Sequence, residues 1–71
     1  MNVVFSHDVN KSGTIMKRVA EIDGQFYPYN FSLNTAQITW GNAFAKHSEE
    51  GVKYVSSPHK TLDAAKNVLG I

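Results

Sequence analysis

The dipeptide Asp23-Gly24 lies between two runs of strand-forming residues, Thr14–Ile22 and Gln25–Ser32. A two-residue type I′ turn needs positive φ at both central positions, and Asp-Gly supplies them at low cost. The pair therefore ties the two runs into an antiparallel hairpin. Every other element of the 71-residue chain has to be arranged around that hairpin. A chain this short does not divide, so residues 1–71 are expected to form one domain.

The reading extends in both directions from the hairpin. Asn2–His7 is β-branched and aromatic and predicts a strand, with a turn at Asn10-Lys11-Ser12-Gly13. In the strand after the Asp-Gly turn, Tyr27, Tyr29 and Phe31 share one face, while Phe26, Pro28 and Asn30 share the other. Pro28 has no N–H to give a ladder, which predicts a free edge or a bulge. Lys17 and Arg18 blur which face of Thr14–Ile22 points inward.

The segment Asn34–Ser48 reads two ways. Ile38, Trp40 and Phe44 fit a strand with Asn42 as the exception, whereas Leu33, Ala36, Trp40, Ala43 or Phe44, and His47 fit a helical stripe. Gly41 and the pair Ile38-Thr39 favour the strand. Ser48-Glu49-Glu50-Gly51 followed by Val52–Ser56 looks like a hairpin with a type I turn and a glycine bulge. Beyond it, Ser57-Pro58 or Thr61 can start a helix that has Leu62, Ala65, Val68 and Leu69 on one side and stops at Gly70. The expected fold class is α+β: a small twisted antiparallel β-sheet of four to five strands, with one C-terminal helix packed on one face.

Composition narrows the chemistry. Cysteine is absent, which removes disulfides, thiolate catalysis and Cys-ligated zinc. No apolar run approaches the ~20 residues of a membrane span, and the apolar stretch at Met1–Phe5 is too short for a signal peptide. A cytoplasmic protein is expected. Asp8-Val9-Asn10-Lys11-Ser12-Gly13 resembles the start of a calcium loop, but Val19 stands where the bidentate Glu is needed. His7, His47 and His59 lack the spacing of metal ligands. Ser6-His7-Asp8 holds the residue types of a triad, yet neighbours on a strand point to opposite faces. The five glycines are isolated and form no phosphate-binding loop. No cofactor, metal or catalytic residue is expected.

Two candidate surfaces remain. Tyr27, Tyr29 and Phe31, with Trp40, are either the core beneath the helix or an exposed aromatic face that anchors a partner. Lys53, His59, Lys60 and Lys66 form a basic C-terminal stretch that could meet phosphates. A net charge of +1 is a poor start for strong nucleic-acid binding. In outline, a sheet followed by a helix resembles the arm-binding domains of tyrosine recombinases. The size, the lack of cysteine and the helix opening Thr61-Leu62-Asp63-Ala64-Ala65-Lys66 resemble small phage accessory proteins that block host enzymes. These are likenesses of shape, and no family is assigned. The expectation is a non-catalytic protein-binding module, a phage or mobile-element type of inhibitor or adaptor. It would act through the aromatic strand face and a free sheet edge, alone or as a homo-oligomer. The alternative is a nucleic-acid-binding module using the sheet or the basic helix.

Overall fold

A computed structural model describes all 71 residues. Five strands form one antiparallel meander in the order β1-β2-β3-β4-β5. They are β1 (Asn2–Asp8), β2 (Ile15–Ile22), β3 (Gln25–Ser32), β4 (Gln37–Trp40) and β5 (Ala43–Lys46), followed by the helices α1 (Glu49–Val55) and α2 (Leu62–Val68). The α+β class and the antiparallel sheet match the sequence reading. The single C-terminal helix does not, because there are two helices and each takes a different face of the sheet.

The β2–β3 hairpin pairs through its full length, from Ile22↔Gln25 to Ile15↔Ser32. Asp23 and Gly24 have φ of 54° and 78°, as a type I′ turn requires. The β1–β2 loop is ordered by Asn10, whose Oδ1 accepts from the N–H groups of Thr14 and Ile15 while its amide donates to Thr14 Oγ1. Asn34–Ser48 resolves in favour of strands, as β4 and β5 joined at Gly41-Asn42.

The segment expected to be a hairpin at Ser48–Ser56 is instead α1. Ser48 is its N-cap and accepts from Gly51 N–H at 3.1 Å, with Glu49 and Glu50 in the first turn. Those features suit a helix start, where orphan N–H groups and the positive dipole end favour oxygen and negative charge. Val52 and Val55, three residues apart, are buried on Ala20, Ile22, Tyr27, Tyr29, Phe31 and Ile38. A seven-residue helix has little stability of its own, so this burial holds it. Gly51 is the reason the sequence misleads. A Cβ there would collide with the backbone carbonyl of Lys46, so the glycine permits close approach of helix to strand and marks no bulge.

On the opposite face α2 packs Ala65 and Leu69 against Val19, with Val4, Phe5, Phe26 and Leu62 around them. Thr61, not Ser57-Pro58, is its N-cap, accepting from Ala64 N–H at 3.1 Å. Its C-terminus closes as a Schellman motif. Gly70, at φ 79°, donates to Asn67 O, and Ile71 donates to Lys66 O. Lys17 Nζ adds a bond to Leu69 O at 2.6 Å, a cation at the negative end of the helix.

The chain changes face beside Pro28. β4 pairs only with Asn30–Ser32, so the first half of β3 has no strand on that side. The α1–α2 connection fills the gap. Phe26 and His59 exchange two backbone hydrogen bonds of 2.8 and 2.9 Å, and Ser56 Oγ donates to Pro28 O. The expectation of a free edge at Pro28 is therefore half right: the edge exists and the chain's own connection covers it. Trp40 packs against both cores at this seam.

Gly51→Ala is a direct check on α1. At an exposed helical site the change would stabilise by up to about 1 kcal/mol. Here the collision with Lys46 dominates, and equilibrium urea unfolding should show a loss of about 1–3 kcal/mol. A gain in stability would refute the close helix–strand contact.

Candidate functional site

The register assigns every strand side chain to a face, and each helix covers only part of its face. α1 lies over β3–β5 and α2 over β2–β3. Two diagonal quarters of the sheet stay open, and the candidate site residues divide between them and the core.

Of the expected anchors, Tyr27, Tyr29 and Phe31 lie in the core under α1, with Tyr29 fully buried. The core reading of that stripe is the one that holds, because α1 occupies the face that would have presented them. Trp40 is half-buried at the seam. The basic set does not come together. Lys53 projects from α1 and pairs with Asp23 at 3.2 Å and with Glu49 at 3.9 Å. Its ammonium is held above the usual lysine range, first by the hydrogen bond to Asp23 and then by that carboxylate's charge. His59 is engaged through its backbone at the β3 edge, Lys60 is exposed, and Lys66 stands over the Phe5 ring at 4.7 Å on the α2 face. Lys53 is thus on the opposite side of the sheet from Lys66.

The first open quarter lies on the α1 side of β1 and β2. Arg18 stands between Ser6 on β1 and Tyr29 on β3. Its guanidinium carbon sits 4.3 Å from the centre of the Phe31 ring. Its Nε donates to Ser6 Oγ at 3.2 Å and its Nη2 to Met16 Sδ at 3.3 Å. His47, between β5 and α1, packs on the same ring at 5.0 Å. Its Nε2 lies 2.9 Å from the Tyr29 hydroxyl. Burial raises the Tyr29 phenol above its ordinary pKa, an effect partly offset by Arg18. His47 is pushed below the ordinary histidine value by burial first and by the Arg18 charge second.

The second open quarter lies on the α2 side of β3–β5. Two rows of side chains cross it: His7, Lys17, Asn30, Thr39 and Phe44, then Ile15, Ser32, Gln37 and Lys46. Neither row contains an acid. A shallow concavity of about 240 Å³ between them is lined by Ile15, Asn30, Ser32, Thr35, Gln37, Thr39 and part of Phe31. Phe44, 63% exposed, lies beside Thr39 of that lining, on the short edge strand β5. Sequence periodicity placed Phe44 with Ile38 and Trp40. The Gly41-Asn42 turn restarts the alternation, so Ala43 and Ala45 face inward and Phe44 faces out. That dipeptide, with Gly41 at φ 59°, was the available signal.

The other motifs stay apart. His7 faces the α2 side, His47 the α1 side, and His59 lies in the α1–α2 connection. No three His, Asp or Glu side chains gather where they could hold a metal ion. Ser6 and Asp8 share a face that His7 does not. No helix is long and apolar enough to cross a membrane. No protein-family model, curated protein or solved structure matches the chain.

The His47 environment sets a pH dependence. Burial and Arg18 disfavour the imidazolium in the folded state, so the unfolded chain, at about pKa 6.5, takes up the proton first. The stability that neutral His47 contributes is complete above about pH 6.5 and is lost as pH falls below it. Urea unfolding between about pH 7 and pH 5 should show a slope that His47→Gln reduces. An unchanged slope in that variant would refute the coupling.

Proposed function

We propose that the chain is a non-catalytic protein-binding module whose contact surface is the open β3–β5 quarter, with Phe44 as its anchor. One observation carries this reading: a large aromatic ring is exposed on a strand where the inward positions, one residue to either side, are filled by the small Ala43 and Ala45. Exposed aromatics surrounded by hydrogen-bonding side chains are the composition of interface hot spots. Asn30, Ser32, Gln37 and Thr39 supply neutral donors and acceptors around the ring. Lys46 gives the surface a positive edge that no nearby acid offsets, which suits a partner presenting an apolar group flanked by carboxylates. The concavity is shallow and its lining carries no ionisable side chain, which fits recognition better than reaction.

Phe44 and Lys46 also carry a second reading, in which a nucleobase stacks on the ring and a phosphate meets the lysine. A photo-crosslinking residue in place of Phe44, introduced in the native host, separates the two. The expected product is a conjugate with one protein. The purified form of that protein should bind with little salt dependence and lose at least about 2 kcal/mol of affinity to Phe44→Ala. Because the ring is exposed, the same substitution should leave stability within about 0.5 kcal/mol. Crosslinks only to nucleic acid, with binding that weakens steeply as salt rises, would replace this reading with the second. Crosslinks only to further copies of the chain would make the surface a homo-oligomer contact. Unaltered affinity in Phe44→Ala would overturn the role given to the ring.

A further inference from the structure

The other open quarter holds a cation that is in no ion pair. We infer that Arg18, with Ser6 and His47, forms a binding site for an oxyanion, a phosphate or a carboxylate. The site lies on the α1 side of β1 and β2, away from Phe44, and stands independently of the function proposed above.

Arg18 is half-buried, and no carboxylate reaches ion-pair distance of it. A guanidinium has five N–H donors. Two are spent, one on Ser6 Oγ and one on the weak acceptor Met16 Sδ. Of the other three, one is turned toward the Tyr29 hydroxyl, which leaves two for a ligand. Contact with the Phe31 ring and the bonds to Ser6 and Met16 restrain the guanidinium before any anion arrives. A planar fork of this kind matches two oxygens of one phosphate or carboxylate.

Ser6 adds a donor, and His47 adds a titrating neighbour. Ser6 Oγ accepts from Arg18, and its own hydrogen faces only Met16 Sδ at 3.7 Å, so it can turn to a better acceptor. His47 Nε2 is engaged by the Tyr29 hydroxyl, while Nδ1 has no hydrogen bond within the protein. When the phenol donates to Nε2, the imidazole proton sits on Nδ1, and His47 is tied to Arg18 by the Phe31 ring they share and by charge. The charged and titratable groups facing this quarter are Asp8 from β1, Arg18 from β2, Tyr29 from β3, His47 after β5 and Glu49 at the start of α1. Glu49 is turned to the N-terminal ammonium at 3.6 Å and to Lys53. Asp8 lies across from Met16, two pairs further along the ladder on the same face, and makes no ion pair with Arg18.

Burial is the larger cause that holds His47 down and the Arg18 charge the smaller; an anion on Arg18 would cancel the smaller one, so binding and His47 protonation are coupled. This gives a readout that diffuse surface binding lacks. The full chain is titrated separately with inorganic phosphate and with acetate, against chloride at matched ionic strength, while NMR follows the Arg18 Nε–H and the His47 ring. The expected result is saturable shifts confined to Ser6, Arg18, Phe31 and His47, with the His47 titration midpoint moving to higher pH. Whichever probe saturates at the lower concentration identifies the oxyanion class. Arg18→Gln should abolish the shifts. Arg18→Lys keeps the charge, removes the fork and should weaken binding about tenfold. It also preserves the test if Arg18→Gln fails to fold. Shifts that never saturate, that centre on the lysines, or that persist at equal strength in Arg18→Lys would overturn the site.

Discussion

The early end of β4 governs this structure. Because β4 pairs only with Asn30–Ser32, the first half of β3 presents backbone groups with no strand partner. Buried backbone polar groups must be satisfied, and the α1–α2 connection does this through Phe26, His59 and Ser56. Pro28 sits within that stretch and asks for no N–H acceptor, so the irregular connection can pass where a regular strand would have wanted one more bond. This passage carries the chain from one sheet face to the other. Without it both helices would compete for the same side, and Val19, Phe26 and Phe5 would have no cover.

Two cores in so short a chain leave neither fully enclosed. Tyr27, Tyr29 and Phe31 are spent on the α1 side, where they are the floor for Val52 and Val55. The α2 side relies on Val19, Ala65 and Leu69, with partly exposed neighbours. Lys17 and Arg18, adjacent in sequence and opposite in direction, mark where each helix stops. Lys17 closes onto the end of α2, and Arg18 lies on the ring that α1 leaves open. The open quarters therefore follow directly from helices of only seven residues on a sheet of five strands.

Much of the fold was legible from local chemistry. Asp23-Gly24 specifies its turn through φ alone, and Thr61, Asp63 and Gly70 bound α2 by capping rules that need no tertiary context. Residues whose meaning depends on distant atoms were misread. Gly51 resembles a bulge glycine until Lys46 O is known to be pressed against it. Ser48-Glu49-Glu50 serves equally as a turn or a helix start, and burial of Val52 and Val55 decides between them. Phe44 falls in period with Ile38 and Trp40 only when the Gly41-Asn42 turn is read through, and that turn moves it to the other face. The aromatic stripe was found correctly as a face, but its neighbour in space could not be read from spacing. The Arg18–Phe31–His47 cluster unites β2, β3 and the residue before α1, which no single window of sequence displays.

The meander order has a consequence for how the chain reaches this state. Each strand pairs with the one made just before it, so the four ladders close short loops and lose little chain entropy. The distant closures are concentrated near the C-terminus: His59 onto Phe26, and Leu69 onto Lys17 across 52 positions. Emerging N-terminus first, the polypeptide can lay down its sheet progressively. The α2 face of that sheet stays unroofed until the final dozen residues swing round the Pro28 border and seal it.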